Sequence, residues 1–584
     1  MERAELTAKA KDYLEKEDDS RFSDQVAQLL KEESWDELND RFYTDLAFGT
    51  GGLRGVIGGG MNRMNPYTVR KATQGLASYI VKNVEEGKRK VALAYDSRHY
   101  SDLFALQAAL VFAGNGIECF LYTSLRPTPQ LSFTVRELNC CAGVMVTASH
   151  NPAEYNGYKV YWEDGGQITA PHDSGIIKEV RAVTDQINVL TEEEAKSKGL
   201  LHMIDETVDK PYLDMVIAQS LRPELVKEKG KDLKVVFTPL HGCGTVPVEQ
   251  ALSRMGITVV TVKEQREPDG AFPTVDFPNP EITPAMQMAL DYAAREKADL
   301  VMGTDPDADR LGIAVPEGDG YTLITGNQLG CLLTDYIFHS RKELGKLPEN
   351  AAFVNTIVTT DLQIKIAESY GADTFKVLTG FKFIGEKMRE FEESGSHTYI
   401  FGGEESYGFL VEQEVRDKDA VSAATMAAEM ALWNVAQGRT VLDHLNEIYE
   451  RFGYYEETLI SQYFKGQSGQ QVMADLMTTL RDTPPAQLGG VTVSALKDYK
   501  DGTTRNLLTG EMDTDIDLPS SNVLQFVLED GSLITARPSG TEPKIKFYAS
   551  ICAGQGQTLA DAKAAVSAKI KAIEADIMGM MPQV

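Results

Sequence analysis

The feature of the sequence that most limits its possible folds is a pattern of strands and helices that occurs three times. In each copy an apolar strand leads through helices and a further strand to a polar loop. The three loops are TASHNP at 147–152, TDPDADR at 304–310 and GGEESYG at 402–408. Strands that alternate with helices at this spacing predict α/β layers around largely parallel sheets. Ligands of such sheets bind beyond the carboxyl ends of the strands, so these loops are the candidate sites.

The two ends of the chain differ from this pattern. Residues 1–47 are highly charged and predict a helical arm. Near the other end, strands at 523–528 and 533–536 predict a hairpin, followed by RPSGTEP at 537–543, a strand and a helix. We therefore expect three related α/β domains with mixed sheets and a smaller α+β C-terminal domain. The predicted boundaries are 1–205, 206–321, 322–452 and 453–584.

Charge and cysteine content narrow the class of protein. The 584 residues carry 58 basic and 86 acidic side chains, a formal charge of −28. Such a chain repels polyanions, so we expect neither nucleic acid nor an anionic membrane as a partner, although one basic pocket can still bind a small anion. The best membrane candidate, 421–436, is too short to span and contains Glu429, so it predicts a buried helix. Six cysteines without a CxxC pair, and no signal peptide, indicate a reduced, cytoplasmic protein.

The loop at 304–310 predicts a metal site. Asp305, Asp307 and Asp309 stand at alternate positions, where their carboxylates can converge on one hard cation such as Mg²⁺. An EF-hand is excluded because Arg310 replaces the glycine at position six and Pro316 replaces the glutamate at position twelve. The alternative is a solvated acidic turn, in which three crowded carboxylates would repel one another.

The loop at 147–152 offers Ser149 and His150. It lacks both glycines of a G-x-S-x-G nucleophile elbow. Because neighbouring side chains at a strand end are expected to diverge, the pair does not predict a hydrolase dyad. The alternative is a polar junction between strand and turn. Lys159 lies close enough along the chain to fold back toward the loop.

The loop at 537–543 predicts an anion site. Arg537 offers a bidentate guanidinium, Ser539 and Thr541 offer hydroxyls, and the backbone around Gly540 offers N–H groups. The alternative is a polar turn between strands. Because no G-x-G-x-x-G or P-loop motif is complete in the chain, we expect the phosphate to belong to a ligand other than a nucleotide.

The loop at 402–408 suits a sugar. Glu404, Glu405 and Ser406 supply the oriented acceptors and donors that sugar hydroxyls need. The alternative is a surface acidic turn.

Five motifs in this order resemble the α-D-phosphohexomutase family, and most closely its bacterial phosphoglucomutase members. They are FGTGGLRG at 48–55, TASHNP at 147–152, DPDADR at 305–310, GEES at 403–406 and RPSGTEP at 537–543. The resemblance runs from about residue 40 to the C-terminus. It implies four domains around a central cleft, the fourth of which binds phosphate.

The resemblance also implies roles for individual residues. Ser149 would be the phosphorylated serine and would bind Mg²⁺ together with the three aspartates. Other residues would surround the transferring phosphoryl group, the metal, the sugar or the second phosphate: Arg54, His150, Lys159, Arg310, Thr379, Gly380, Lys382, Glu404, Ser406, Arg537, Ser539, Gly540 and Thr541. Many relatives have Gly-His after the serine of GEES, whereas this chain has Tyr407 and Gly408, which leaves the choice of sugar open.

The implied activity is the Mg²⁺-dependent interconversion of glucose 1-phosphate and glucose 6-phosphate through a phosphoserine and glucose 1,6-bisphosphate. Hexose phosphates would be the partners, and the protein would be a monomer or weak homodimer. Alternatives within the family are a phosphomannomutase, a phosphopentomutase and a phosphoglucosamine mutase. Outside it, a Mg²⁺-dependent sugar phosphatase and a sugar-phosphate sensor stay open.

Overall fold

The structure is a computed structural model that describes residues 1–184, 186–464, 469–539, 544–554 and 556–581. Three helices form the N-terminal arm: α1 Arg3–Lys16, α2 Ser20–Lys31 and α3 Trp35–Phe42. Their apolar faces form a small core, in which Tyr13 packs edge-on against Phe42 and Tyr67. The predicted helical arm is confirmed.

The first α/β region contains a six-stranded mixed sheet in the order β1-β5-β4-β2-β3-β6. Its elements are β1 Gly52–Val56, α4 Pro66–Asn83, β2 Lys90–Tyr95, α5 Ser101–Gly114, β3 Glu118–Tyr122, α6 Thr128–Glu137, β4 Ala142–Val146, β5 Tyr155–Trp162, α7 His172–Ala182, α8 Glu192–Ser197 and β6 Leu201–Ile204. The inner strands β2 and β4 are short apolar runs that pair in parallel, as expected for strands covered on both faces. β1 and β5 are antiparallel and extend the sheet on the side of the serine loop.

The second α/β region contains a five-stranded mixed sheet in the order β11-β10-β9-β7-β8. Its elements are α9 Glu206–Ala218, α10 Pro223–Lys229, β7 Lys234–Thr238, α11 Thr245–Arg254, β8 Thr258–Thr261, α12 Lys263–Arg266, α13 Thr283–Glu296, β9 Leu300–Thr304, β10 Leu311–Glu317 and β11 Gly320–Ile324. β7 pairs in parallel with both β8 and β9, and the aspartate loop joins β9 to the antiparallel β10.

The third α/β region follows. Its elements are α14 Gly326–Glu343, β12 Ala351–Thr356, α15 Asp361–Ser369, β13 Asp373–Val377, α16 Phe381–Ser394, β14 Thr398–Glu404, β15 Gly408–Leu410, α17 Ala420–Ala436 and α18 Val441–Phe452. β12 and β13 pair in parallel, whereas β14 and β15 form an antiparallel pair. α17 confirms the predicted buried helix, and Glu429 within it accepts hydrogen bonds from the amides of Leu221 (2.9 Å) and Arg222 (3.2 Å).

The C-terminal region is α+β, as predicted. Its elements are β16 Tyr455–Tyr463, α19 Gly469–Asp482, β17 Gln487–Leu488, β18 Val491–Asp498, β19 Thr503–Asn506, β20 Met512–Asp513, β21 Leu524–Leu528, β22 Leu533–Pro538, β23 Lys544–Cys552 and α20 Leu559–Met580. The strands run antiparallel in the order β16-β23-β22-β21-β18-β19-β20.

The chain divides into two compact units. The first comprises residues 1–326 and 381–436, and the second comprises 327–380 and 437–584. The predicted domain boundaries stay predictions. All six cysteines are buried free thiols, and no described helix combines the length and apolar character that crossing a membrane requires.

Candidate functional site

The serine loop begins where β4 ends, in the first unit. Ser149 is buried, and its backbone is left-handed, with φ of 51°. Its hydroxyl donates a hydrogen bond to Oδ2 of Asp305 (2.8 Å) and lies 3.2 Å from Nδ1 of His150. The expectation that the side chains of Ser149 and His150 diverge is therefore wrong. The left-handed turn at Ser149, which an extended strand end does not have, accounts for their contact.

Three buried carboxylates converge at the end of β9. One oxygen from each of Asp305, Asp307 and Asp309 lies within 4.8 Å of the other two. Among the described residues, Oδ1 of Asp307 and Oδ1 of Asp309 are buried without a hydrogen-bond donor. Buried carboxylate oxygens that lack protein donors fit a divalent cation that takes oxygen ligands, so the residues present fit Mg²⁺.

Two lysines compensate part of this negative charge. Nζ of Lys159, on β5, lies 2.8 Å from Oδ2 of Asp307 and 3.4 Å from Oδ2 of Asp309. Nζ of Lys418 lies 3.2 Å from Oδ2 of Asp309. Burial would lower the pKa of Lys418, but Asp309 and Asp417 hold it above its ordinary value, so the side chain is charged.

Lys418 is absent from the residues that the sequence pointed to, and so is Thr128. Lys418 lies in the charged run RDKD at 416–419, directly before the buried helix α17, and such a run inside an apolar stretch is the signal that could have identified it. Thr128 donates a hydrogen bond from Oγ1 to Oδ2 of Asp307 (2.7 Å). No pattern in the sequence distinguishes Thr128 from other helix-start residues.

The titration behaviour of the site follows from burial and charge. Burial, with the charges of Asp309 and Asp307, raises the pKa of Asp305 well above its usual range. Burial acts in the same direction on Asp307, but Lys159 and the hydrogen bond from Thr128 hold its pKa below the usual value. Burial and the cations Arg310 and Arg54 lower the pKa of His150 well below its ordinary value, so the imidazole is neutral at pH 7.

Two arginines flank the serine and aspartate loops. Arg54, on β1, donates a hydrogen bond from Nη1 to Oδ1 of Asn151 (3.3 Å). The amide of Arg310 donates to Oδ1 of Asp305 (3.0 Å), and its Nη1 donates to the carbonyl of Ser406 (3.1 Å). Arg310 therefore connects the aspartate loop directly to the loop expected to bind sugar.

The predicted sugar-binding residues are divided between the two units. Glu404 and Ser406 lie in the first unit; Glu404 is the last residue of β14, 6% exposed, and therefore does not lie on the loop as the sequence suggested. Lys382, also in the first unit, donates a hydrogen bond from Nζ to the carbonyl of Thr50 (3.3 Å). Thr379 and Gly380 belong to the second unit.

Arg537 and Ser539, which were predicted to bind a phosphate, lie in the second unit. β22 continues through Pro538, so Arg537 projects from a strand and not from a loop as expected. Arg537 and Ser539 line a cavity of about 360 Å³, together with Met473 and Met477 of α19. Gly540 and Thr541 lie outside the described residues.

Three family models match most of the chain in sequence order. Their descriptions are "Phosphoglucomutase/phosphomannomutase, alpha/beta/alpha domain I" for residues 45–186, "domain II" for 210–318 and "domain III" for 325–452. Among curated proteins, the phosphoglucomutase of Staphylococcus aureus strain MRSA252 is 36% identical over 530 residues, which are 90% of this chain and 93% of that protein. The phosphoglucomutase of strain N315 is 35% identical over 528 residues, with the same coverage.

Solved structures show the same fold at lower identity. The Paramecium phosphoprotein pp63/parafusin, a phosphoglucomutase in an open form, superposes with a TM-score of 0.71 and 19% identity over 93% of this chain and 96% of that one. A putative phosphomannomutase from Thermus thermophilus superposes with a TM-score of 0.65 and 22% identity, over 90% of this chain and 99% of that one.

Proposed function

Because the chain belongs to the phosphoglucomutase/phosphomannomutase family, we propose that it is a phosphoglucomutase that interconverts glucose 1-phosphate and glucose 6-phosphate. One observation carries the proposal: the hydroxyl of Ser149 lies 2.8 Å from Asp305, at the edge of a buried three-aspartate cluster with unpaired oxygens. A serine in this position can carry a phosphoryl group within reach of a cation and of positively charged side chains.

The reaction has two transfers. Phospho-Ser149 gives its phosphoryl group to the free hydroxyl of a hexose monophosphate, so that the Oγ–P bond breaks, a sugar O–P bond forms and the hydroxyl proton leaves. The resulting glucose 1,6-bisphosphate turns over and returns its other phosphate to Ser149. Bound at Asp305, Asp307, Asp309 and the serine phosphate, Mg²⁺ would offset negative charge on the transferring group.

The protein's own side chains provide the rest of the chemistry. Arg54 and Lys159 hold positive charge near the serine, where the transferring oxygens need it. Lys159 and Lys418 are paired with carboxylates and therefore act as cations. His150 is the candidate general base for the sugar proton, because it is neutral and adjacent to Ser149.

Binding of the sugar is divided among other residues. Glu404 and Ser406 hold sugar hydroxyls, and Thr379, Gly380 and Lys382 are the other candidate substrate-binding residues. Arg537 and Ser539, with Gly540 and Thr541, hold the phosphate that does not react, so that its binding energy orients the reacting end. We further propose that the protein acts in the cytoplasm as a monomer or weak homodimer.

The test combines an assay with intact mass. Formation of glucose 6-phosphate from glucose 1-phosphate is measured with and without glucose 1,6-bisphosphate, and mannose 1-phosphate is the competing substrate. Wild-type protein should carry one additional phosphate that is lost in Ser149→Ala, with activity reduced by several orders of magnitude. The exposed Ser197→Ala is the matched control and should retain both properties.

Each alternative predicts a different result. A phosphatase releases inorganic phosphate without any requirement for the bisphosphate, and a phosphomannomutase prefers mannose 1-phosphate. Unchanged turnover in Ser149→Ala would reject the phosphoserine mechanism.

A further inference from the structure

Arg98 is a fully buried arginine directly beneath the serine loop, in the turn between β2 and α5. Nη1 donates hydrogen bonds to the carbonyls of Pro152 (2.8 Å) and Tyr155 (3.0 Å). Nη2 donates to the carbonyls of Ser149 and Asn151. One guanidinium thus holds four carbonyls of the segment 149–155. Its planar, fixed set of donors suits this arrangement, whereas an ammonium offers three donors from a single point.

Asp96 completes this arrangement on the amide side of Ser149. Its Oδ2 lies 3.3 Å from Nε of Arg98 and accepts a hydrogen bond from Oγ1 of Thr147 (2.6 Å). Oγ1 of Thr147 in turn accepts a hydrogen bond from the amide of Ser149 (2.8 Å). The Asp96–Arg98 pair therefore restrains both the carbonyl and the amide of Ser149.

The backbone of Ser149 requires such restraint. Its φ of 51° lies in the left-handed region, which residues other than glycine, asparagine and aspartate seldom adopt. A residue keeps this conformation when its surroundings determine it. The same turn brings the hydroxyl of Ser149 to Asp305. The position of the hydroxyl therefore depends on the left-handed backbone conformation.

The second α/β region packs against Arg98 and its neighbour His99. The ring of Phe272 lies 5.0 Å from the guanidinium carbon of Arg98. Beside it, a Cβ atom on Gly270 would stand 2.5 Å from the amide nitrogen of His99. Because the aspartate cluster belongs to the same region as Phe272, this close contact fixes the serine loop relative to the carboxylates.

We infer that Arg98 is a positioning residue for phosphoryl transfer: it holds Ser149 in the left-handed turn that directs its hydroxyl at the aspartate cluster. Arg98 donates its hydrogen bonds to backbone carbonyls, and none of them reaches the hydroxyl of Ser149. The inference rests on the proposed function. It predicts that loss of Arg98 slows the chemical step and leaves binding of the monosaccharide phosphate nearly intact, since the sugar-binding residues are elsewhere.

The experiment compares Arg98→Lys and Arg98→Met with wild type. The measurements are kcat and KM for glucose 1-phosphate, phosphate occupancy of Ser149 by intact mass, and Tm. Arg98→Lys keeps the charge but cannot hold four carbonyls, and we expect kcat to fall about 100-fold with KM within about twofold. In Arg98→Met, kcat should fall further, and the phosphate occupancy of Ser149 should fall in both variants.

A matched control is Arg89→Lys. Arg89 also binds two backbone carbonyls, those of Val84 and Val81, at the far end of α4. Its replacement should leave kcat unchanged. Thr147→Val is a second, milder variant that removes the hydroxyl bonded to the amide of Ser149, and it should lower kcat about tenfold with little change in Tm.

The outcomes separate the inference from the proposed function. Wild-type protein without mutase turnover would reject the proposed function itself. With an active wild type, a folded Arg98→Lys of unchanged kcat would overturn the inference, and so would a rise in KM at constant kcat. If the Arg98 variants do not fold, Thr147→Val decides. A wild-type kcat in this variant would overturn the inference, and a fall of about tenfold would support it.

Discussion

Gly242 offers a sharp test of how closely the aspartate loop is supported. It lies in the loop after β7, where the amide of Cys243 donates to the carbonyl of Pro306 (2.8 Å), inside the aspartate loop. A Cβ atom at Gly242 would stand 2.4 Å from Cα of Pro306 and 2.6 Å from its carbonyl oxygen. The obstacle is backbone, so no side-chain rotation relieves it.

The structure sets the size of the effect. Ordinary contacts of a Cβ atom begin at 3.4 Å, so Gly242→Ala must separate the two loops by about 1 Å. A displacement of that size between reacting groups costs about 100-fold in rate. Overpacking of this kind also costs about 1–3 kcal/mol of stability. We therefore expect kcat to fall about 100-fold, with a higher Mg²⁺ concentration needed for half-activation.

The assay is mutase activity as a function of Mg²⁺ concentration, with the free energy of unfolding measured beside it. Gly320→Ala is the control, because a Cβ atom there meets nothing within 4 Å. If Gly242→Ala matched Gly320→Ala in kcat and in its Mg²⁺ dependence, the loop after β7 would not be what supports the carboxylates.

The metal site, the substrate-binding residues and a buried ion cluster each give a further prediction. Asp307→Asn should weaken Mg²⁺ binding measured by calorimetry by about tenfold or more, and full activity of metal-stripped wild type would contradict the metal's role. Arg537→Ala should lower kcat/KM about ten- to hundredfold, largely through a higher KM. Glu404→Gln should instead change the ratio of kcat/KM for glucose 1-phosphate to that for mannose 1-phosphate. If Glu404→Gln lowered both values by the same factor, Glu404 would have a general binding role and would not select the sugar. Asp335 accepts hydrogen bonds from Nε2 of His444 (2.9 Å), Nη1 of Arg451 (2.9 Å) and the hydroxyl of Tyr370 (2.7 Å). Burial alone would raise the pKa of Asp335, but these partners lower it to about 2. The pKa of Asp335 is lower in the folded than in the unfolded protein, so its ionised form stabilises the fold at neutral pH and this stabilisation is lost as the pH falls toward 2. The unfolding free energy of the wild type should therefore exceed that of Asp335→Asn by about 2 kcal/mol at pH 7 and by about half of that near pH 3.

The repeated strand–helix pattern made the fold class predictable, because buried strands and amphipathic helices are local features. Boundaries were less predictable. β14 and β22 each run further than predicted and carry Glu404 and Arg537 on strands, since pairing with a neighbouring strand decides where a strand ends.

The site was predictable where its residues stand together in the sequence, as the three aspartates do. Residues brought in from elsewhere were not. Lys418 reaches Asp309 from a loop more than a hundred positions away, and Arg98 acts on the serine loop from an earlier turn. The contact of Ser149 with His150 depends on one backbone angle, which composition and spacing do not reveal.

The division of the chain into two interleaved units has a consequence for its synthesis. The chain leaves the first unit after Gly326 and re-enters it at Phe381, so the first unit lacks residues 381–436 until the ribosome has also made 327–380. At a translation rate of about 5–20 residues per second, synthesis of residues 327–418 takes on the order of 5–20 seconds. Throughout it the nascent chain carries the aspartate cluster without Lys418, the cation that pairs with Asp309. No single cut releases either unit intact, because each is assembled from two stretches of chain.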